Sequence, residues 1–252
     1  MELCVAFLGF FVGVMVGLTG IGGAALMAPL LIVVVGVRPV VAVGTDLAYG
    51  AITKVVGAWV HWRQGTVRWA IVGRLALGSV PGSILGMSAL YYLHGVGSGP
   101  DEYVRRAIGA VLIFIAVVIF AQAKWGNRFS LSGNCDKRVG LATVIWGAVV
   151  GFTVALTSIG SGSLIVPFLL LAYPLNPAEA VGTDVVHASI LVSLTAALHG
   201  NLGTVDWRSV WLLLVGSVPG VVLGSLLAPR MPTPLLRVVL AAAVLASGMK
   251  LV

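Results

Sequence analysis

Hydrophobic residues run along this chain in long stretches separated by short polar or glycine-rich punctuation. Leu3–Val37, Leu75–Pro100, Val139–Ala178, Val185–Val205 and Ser209–Pro229 contain no Asp, Glu, Lys or Arg. A helix crossing the roughly 30 Å hydrocarbon core needs about 20 mainly apolar residues, and several such lengths lie end to end here. The pattern resolves into ten pieces, near 3–18, 24–35, 40–60, 70–93, 103–123, 139–156, 164–173, 178–198, 209–227 and 235–251. It predicts an all-α integral membrane protein.

The ten pieces are five pieces used twice. Sliding the chain by 138 residues aligns 17–86 with 155–224 without a gap, and 29 of those 70 positions are identical. Apolar bias does not account for the coincidence of Pro29/Pro167, Pro39/Pro177, Thr45-Asp46/Thr183-Asp184, His61/His199 and Trp69/Trp207. Gly65-Thr66-Val67 likewise returns as Gly203-Thr204-Val205, and Gly78-Ser79-Val80-Pro81-Gly82 as residues 216–220. The expected organisation is a first repeat over 1–123, a polar linker over 124–138 and a second repeat over 139–252. Five pieces is an odd number, so the second unit is expected to be inverted across the membrane, related to the first by a pseudo-two-fold axis. Each unit would hold a Gly-broken re-entrant pair plus three further transmembrane helices.

Within each unit the second piece is short, and Gly-rich sequence separates it from the first: Thr19-Gly20-Ile21-Gly22-Gly23, and Thr157-Ser158-Ile159-Gly160-Ser161-Gly162-Ser163. At 1.5 Å per residue it reaches about half to two-thirds of the hydrocarbon core. Non-helical backbone at that depth must be buried in protein or line a polar cavity. Broken segments at matching positions of two repeats point to a transporter's midplane site. Two stripes of small residues, Gly9/Gly13/Gly17 with Gly147/Gly151/Ala155 and Gly78/Gly82/Gly86 with Gly216/Gly220/Gly224, fit close helix–helix approach.

Composition sharpens the class. The chain is 59% apolar and 9% charged, with a mean hydropathy of +1.09, too few charges to clothe a soluble globule. The excess of 15 Lys+Arg over 8 Asp+Glu is spread over the loops, which fits a positive-inside bias and not a nucleic-acid partner. Cys4 and Cys135 lie far apart and no Cys/His ligand spacing occurs, so neither disulfide, metal nor cofactor is expected. The start Met1-Glu2-Leu3 lacks the basic n-region of a signal peptide, and residues 3–18 recur later as part of the repeat.

These motifs resemble the TauE/SafE family of membrane permeases, the sulfite exporters. The resemblance rests on the Gly-rich break before a Pro-containing half-helix (Gly20-Ile21-Gly22-Gly23 to Pro29; Gly160-Ser161-Gly162-Ser163 to Pro167). It rests also on Ala-Val-Gly-Thr-Asp at 42–46 and its match at 180–184, on Gly-Thr-Val-x-Trp, and on Gly-Ser-Val-Pro-Gly. It implies transport of sulfite or an organosulfonate, a small anionic substrate in a plasma-membrane carrier.

Helix N-termini carry unpaired N–H groups and a positive dipole end, which suit an anion. The expected substrate contacts are therefore Gly20, Ile21, Gly22, Gly23, Gly160, Ser161, Gly162 and Ser163, with the hydroxyls of Thr45 and Thr183. The breaks differ: the first has no hydroxyl beyond Thr19, the second has four. Asp46 and Asp184 lie about 9 Å into their pieces. They are either coupling or gating groups, because intramembrane charge is costly, or caps of a neighbouring broken helix. Lys54 has Val192 as its counterpart and either attracts the anion or snorkels to an interface. His187 shares a helix face with Asp184 and is either a proton relay or a structural histidine. His61 and His199 are expected at interfaces, and Trp59, Trp62, Trp69, Trp207 and Trp211 in aromatic belts.

Three rivals to the anion carrier stay open: an anion channel, a cation-coupled carrier using Asp46 and Asp184, and an intramembrane serine hydrolase at Ser161. The last is disfavoured because Gly23 replaces that serine in the first repeat. Arg63, Arg68 and Arg74 become Asn201, Asp206 and Leu212 in the second repeat. That bias places the linker, with Lys124, Arg128, Lys137 and Arg138, in the cytoplasm and both termini outside. The expected partners are the substrate and the bilayer, with a homodimer as a candidate assembly.

Overall fold

The computed structural model describes residues 2–19, 24–95, 99–125, 137–227, 242 and 244–251, and these are helical apart from short turns. In order they form α1 (Glu2–Thr19), α2 (Ala24–Leu30) continuing as a π-helical turn (Leu31–Val35), α3 (Pro39–Arg63), α4 (Trp69–Gly95), α5 (Pro100–Trp125), α6 (Lys137–Thr157), α7 (Ile165–Ala172), α8 (Pro177–Asn201) and α9 (Trp207–Leu227). Residues 244–251 are again helical. The expected pieces fall on these helices within three residues at each end, save the last, which lies partly outside the described residues. The first break (Gly20–Gly23) and most of the linker, with Cys135, also lie outside them. Among the described residues, five helices have the length and composition to cross a membrane: Pro39–Arg63, Trp69–Leu93, Arg138–Thr157, Pro177–Asn201 and Trp207–Gly224.

Local sequence sets the helix ends. Pro39 and Pro177 open α3 and α8, where the missing N–H costs nothing. The two starts are capped differently. Asn176 and Glu179 form a reciprocal capping box for α8, whereas in α3 the Val40 N–H donates to Asp101 Oδ1 at 3.1 Å, a carboxylate supplied by α5. Gly65 (φ 69°) and Gly203 (φ 67°) then take the left-handed conformation that ends each helix and turns the chain.

Tertiary contacts cross between the two sequence repeats. α1 packs on α9, α4 on α6 and α3 on α8. A Cβ at Gly9 would meet the Leu213 carbonyl oxygen at 2.6 Å, and one at Gly147 would meet that of Leu75 at 2.5 Å; both members of each pair differ by 138. The same holds for Gly13 on Ser217 with Gly151 on Ser79, and for Gly82 on Ala148 with Gly220 on Phe10. In every case the glycine lies against the main chain of its partner. The numbering along these pairs shows that α1 runs parallel to α9 and α6 parallel to α4. α3 and α8 run antiparallel, since Gly50 faces Val192 and Gly57 faces Val185.

Away from these seams the helices present apolar side chains outward. Leu141, Ile145, Val149 and Phe152 do so on α6, and Trp211, Val215, Val218 and Val222 on α9. Trp59, Trp62, Trp69 and Trp207 are exposed as well, at or next to the 64–68 and 202–206 turns, with the Arg63 guanidinium 5.2 Å from the centre of the Trp59 ring. In water such a surface would aggregate; facing acyl chains it costs nothing.

The glycine contacts set a stability prediction. A Cβ at Gly82 would lie 2.2 Å from the Ala148 carbonyl oxygen, whereas one at Gly73 meets nothing within 4 Å. Gly82→Ala should therefore cost at least the 1–3 kcal/mol or so typical of overpacking, read as a lowered thermal midpoint in detergent. Gly73→Ala should leave the midpoint unchanged or slightly raised, and equal midpoints for the two variants would refute the close-approach account.

Candidate functional site

The polar interior gathers on the second break. α6 ends at Thr157, whose hydroxyl donates to the Thr153 carbonyl at 2.7 Å and whose Oγ1 accepts the Ile159 N–H at 3.2 Å. Three of the next five residues have positive φ: Ser158 at 60°, Gly160 at 135° and Gly162 at 73°. The glycines adopt this backbone freely, but Ser158 does so at a cost of about 1–2 kcal/mol. Trp146 pins the far side, its indole N–H donating to the Leu164 carbonyl at 3.3 Å and its ring stacking on Phe168 at 5.7 Å. The α7 start is thereby held against α6.

Three charged side chains meet this break. The strained Ser158 donates its hydroxyl to Asp46 Oδ2. Gly162 donates its backbone N–H to Asp184 Oδ1 at 3.1 Å. Lys54 donates from Nζ to Ser161 Oγ and lies within electrostatic reach of Asp184 and, more weakly, Asp46. Asp46 and Asp184 are only 3% and 4% exposed, so burial is offset by these hydrogen bonds and by the shared ammonium. Lys54 is two helical turns beyond Asp46 on α3, and helix side chains lean toward the N-terminus, which is how it reaches back into the cluster. It does not snorkel to an interface.

Two hydrogen-bond pairs flank the cluster, again 138 residues apart. His187 Nε2 lies 2.8 Å from Ser79 Oγ on α4, and Tyr49 is within hydrogen-bonding reach of Ser217 on α9. His187 is fully buried, yet among the described residues its Nδ1 has no partner, and neither has Ser163 Oγ.

The sequence expectations fare unevenly here. Ser161, Gly162, Lys54, Asp46 and Asp184 come together, and Gly160 and Ser163 belong to the same turn. Asp184 takes up the Gly162 N–H in the manner of a cap, so a protein carboxylate occupies a donor expected to face substrate. Thr45 and Thr183 are engaged elsewhere: Thr183 Oγ1 accepts the Arg68 N–H and Thr45 Oγ1 accepts the Asp206 N–H, each at 3.0 Å. Gly20, Ile21, Gly22 and Gly23 lie outside the described residues.

His199, expected at an interface, is fully buried. Its Nε2 lies 3.0 Å from the Ala155 carbonyl, which can only accept, so Nε2 carries the proton. Nδ1 is 2.8 Å from Thr204 Oγ1, and His61 meets Thr66 in the same way at 3.0 Å. Each histidine braces a Gly-Thr-Val turn, and each turn packs on the other repeat: a Cβ at Gly44 would meet the Thr204 carbonyl oxygen at 2.4 Å, and one at Gly182 the Thr66 Oγ1 at 2.3 Å. Arg68 also pairs with Glu179 across this contact. Ser158 and Ser79 are the partners that sequence reasoning did not single out; the 138-residue repeat puts Gly20 opposite Ser158, a substitution visible in the sequence.

The family model for the sulfite exporters TauE/SafE matches residues 5–251. The chain belongs to this family. Among its relatives, the probable membrane transporter protein YjnA of Bacillus subtilis (strain 168) is 41% identical over 257 residues, covering 100% of both chains. The probable membrane transporter protein YdhB of the same organism is 28% identical over 238 residues, 90% of this chain and 91% of its own. The probable membrane transporter protein MJ0441 of Methanocaldococcus jannaschii is 26% identical over 225 residues, 84% of this chain and 79% of its own. No solved structure matches the chain. This TauE/SafE protein is thus a multi-pass membrane transporter acting on a small molecule.

The threonine geometry yields a test of role. Thr45→Val combined with Thr183→Val keeps side-chain volume and removes the acceptors of two partly buried N–H groups, at about 0.5–1.5 kcal/mol each. The double variant should melt earlier while substrate affinity stays at the wild-type value; a large affinity loss at unchanged stability would make these hydroxyls substrate ligands instead.

Proposed function

We propose that this TauE/SafE protein is a secondary carrier that exports a small anion, sulfite or an organosulfonate, across the cell membrane, binding it near the midplane at the helix breaks. The observation that carries this reading is Lys54 donating to Ser161 within the second break. A helix end contributes about 0.3–2 kcal/mol to an anion, while desolvating that anion costs several. A fixed ammonium makes up the difference, since two unit charges 4 Å apart attract by about 4 kcal/mol at an effective dielectric constant of 20. The Ser161 hydroxyl now on Lys54 is the group an oxyanion would replace or join, and Ser163 Oγ in the same turn has no partner among the described residues. Ser158, Ile159 and Ser161 are buried, which supports an occluding carrier over an open channel.

The two repeats, 1–123 and 139–252, are proposed to lie inverted in the membrane, with the 124–138 linker cytoplasmic and both termini outside. Support comes from the antiparallel run of α3 and α8, which are matching pieces of the two repeats, and from three arginines near the first Gly-Thr-Val turn with no counterparts at the second.

Two measurements bear on this. In proteoliposomes, Lys54→Gln should raise the KM for sulfite about tenfold or more, the loss expected for a charged hydrogen bond, and Ser161→Leu should abolish saturable flux while the protein stays monodisperse. Wild-type transport by either variant would remove the site from the second break. In intact cells carrying Cys4→Ser, an impermeant thiol reagent added outside should leave Cys135 unlabelled, and labelling there would reverse the orientation.

A further inference from the structure

We propose that each anion crosses the membrane together with one proton, held on Asp46; the inference rests on the anion-carrier reading above. Asp46, Asp184 and Lys54 share the interior cluster, and two carboxylates against one ammonium leave it at −1. The first break adds nothing, being Gly-Ile-Gly-Gly.

The elements packed on α3 do not alter the count. α2 and the π-helical turn carry no ionisable group, and α6 carries none after its first two residues, Lys137 and Arg138. α5 presents Asp101, at the α3 start and engaged by Val40 N–H, while Glu102 is paired with Arg105 and Arg106. α8 adds His187 and His199, with Glu179 paired to Arg68. Next to α9, Asp206 takes up Arg208 N–H and Ser209, and Arg208 pairs with Glu2. Tyr49, on α3 itself, faces Ser217.

An anion arriving at Lys54 and Ser161 would bring the cluster to −2 in surroundings with little water to screen it. One accompanying proton returns it to −1. The empty and loaded carrier then present the same charge to the membrane, so one rearrangement serves both, and net export requires an outward anion gradient larger than the opposing proton gradient.

The hydrogen bonds choose the carboxylate. Asp184 Oδ1 accepts from the Gly162 N–H, which can only donate, so that oxygen is committed as an acceptor. Asp46 is met by Ser158, whose hydroxyl donates to a carboxylate and equally accepts from a carboxylic acid. Protonating Asp46 therefore orphans no partner. Ser158 holds that place at a positive φ where the other repeat has Gly20, so the hydroxyl is retained against its own backbone preference. Nδ1 of buried His187 is a further polar atom in this interior with no partner among the described residues.

The test uses the full-length protein in proteoliposomes and labelled methanesulfonate, 2-hydroxyethanesulfonate and sulfite. The first two are permanently ionised near neutral pH, so a counted proton belongs to the carrier. With the potential clamped at zero, a one-unit pH gradient, acid outside, should drive sulfonate accumulation approaching tenfold with one internal proton gained per anion. A potential of about 60 mV, equivalent in driving force, should drive none at equal pH. Asp46→Asn, a mimic of the protonated acid, should keep anion-for-anion exchange and lose accumulation driven by pH. Accumulation that follows voltage and ignores pH, or pH-driven accumulation surviving in Asp46→Asn, would overturn the proposal. If Asp46→Asn fails to fold, the wild-type proton count alone decides the coupling. Should none of the three anions move in the wild type, the anion-carrier reading itself falls and this inference with it.

Discussion

Inside a bilayer no hydrophobic force presses one apolar helix onto another, because the acyl chains are as apolar as the side chains. Association has to come from close contact, and here glycine provides it. Gly9 and Gly13 lie on the α9 backbone, Gly147 and Gly151 on that of α4, and Gly216, Gly220 and Gly224 lie on α1 in return. With no side chain between them, main chains meet along whole helix faces and dispersion adds up over many atom pairs. The seams join each repeat to the other instead of closing each on itself. All else, including where the breaks fall, is hung on these two parallel pairs.

The polar interior is arranged by a second constraint, the cost of charge away from water. Asp46, Asp184 and Lys54 are each tied to the 157–163 turn by a hydrogen bond. Two helices from different repeats thereby converge on one short segment of a third. The repeat is close to symmetric in its glycine seams and its Gly-Thr-Val turns but departs from symmetry here. Lys54 stands opposite Val192, Ser158 opposite Gly20 and Ser161 opposite Gly23. A duplicated scaffold has kept its packing and let its chemistry become one-sided.

Much of the architecture could be read directly from the residues. Helix positions followed from uncharged runs, because the bilayer leaves the backbone no other way to satisfy itself, and the small-residue stripes marked the contact faces. What the stripes could not say was which helix lay opposite: a glycine face is the same whether its partner is near in sequence or, as with Gly9 of α1 and Leu213 of α9, in the other repeat. The site was legible in kind, since buried Asp, Lys and Ser at a break are rare enough to notice. Their individual duties were not. Thr45 and Thr183 look like oxyanion ligands in the sequence, yet each accepts an N–H from the other repeat's turn. Likewise, His199 looks interfacial until its two ring nitrogens are seen engaged by Thr204 and Ala155. Partners as distant as Ala155 is from His199, Arg68 from Thr183 or Asp206 from Thr45 are set by tertiary packing and leave no local trace.

The pairing of α1 with α9 also fixes an order of events at the ribosome. α1 ends at Thr19 and α9 begins at Trp207, so at roughly 5–20 residues per second the first helix waits about 10 to 40 seconds for its partner to be made. Throughout that interval its glycine face has lipid or translocation machinery for company. The amino-terminal half emerges as a set of inserted but unmated helices, and the molecule becomes a single body only as its last third arrives.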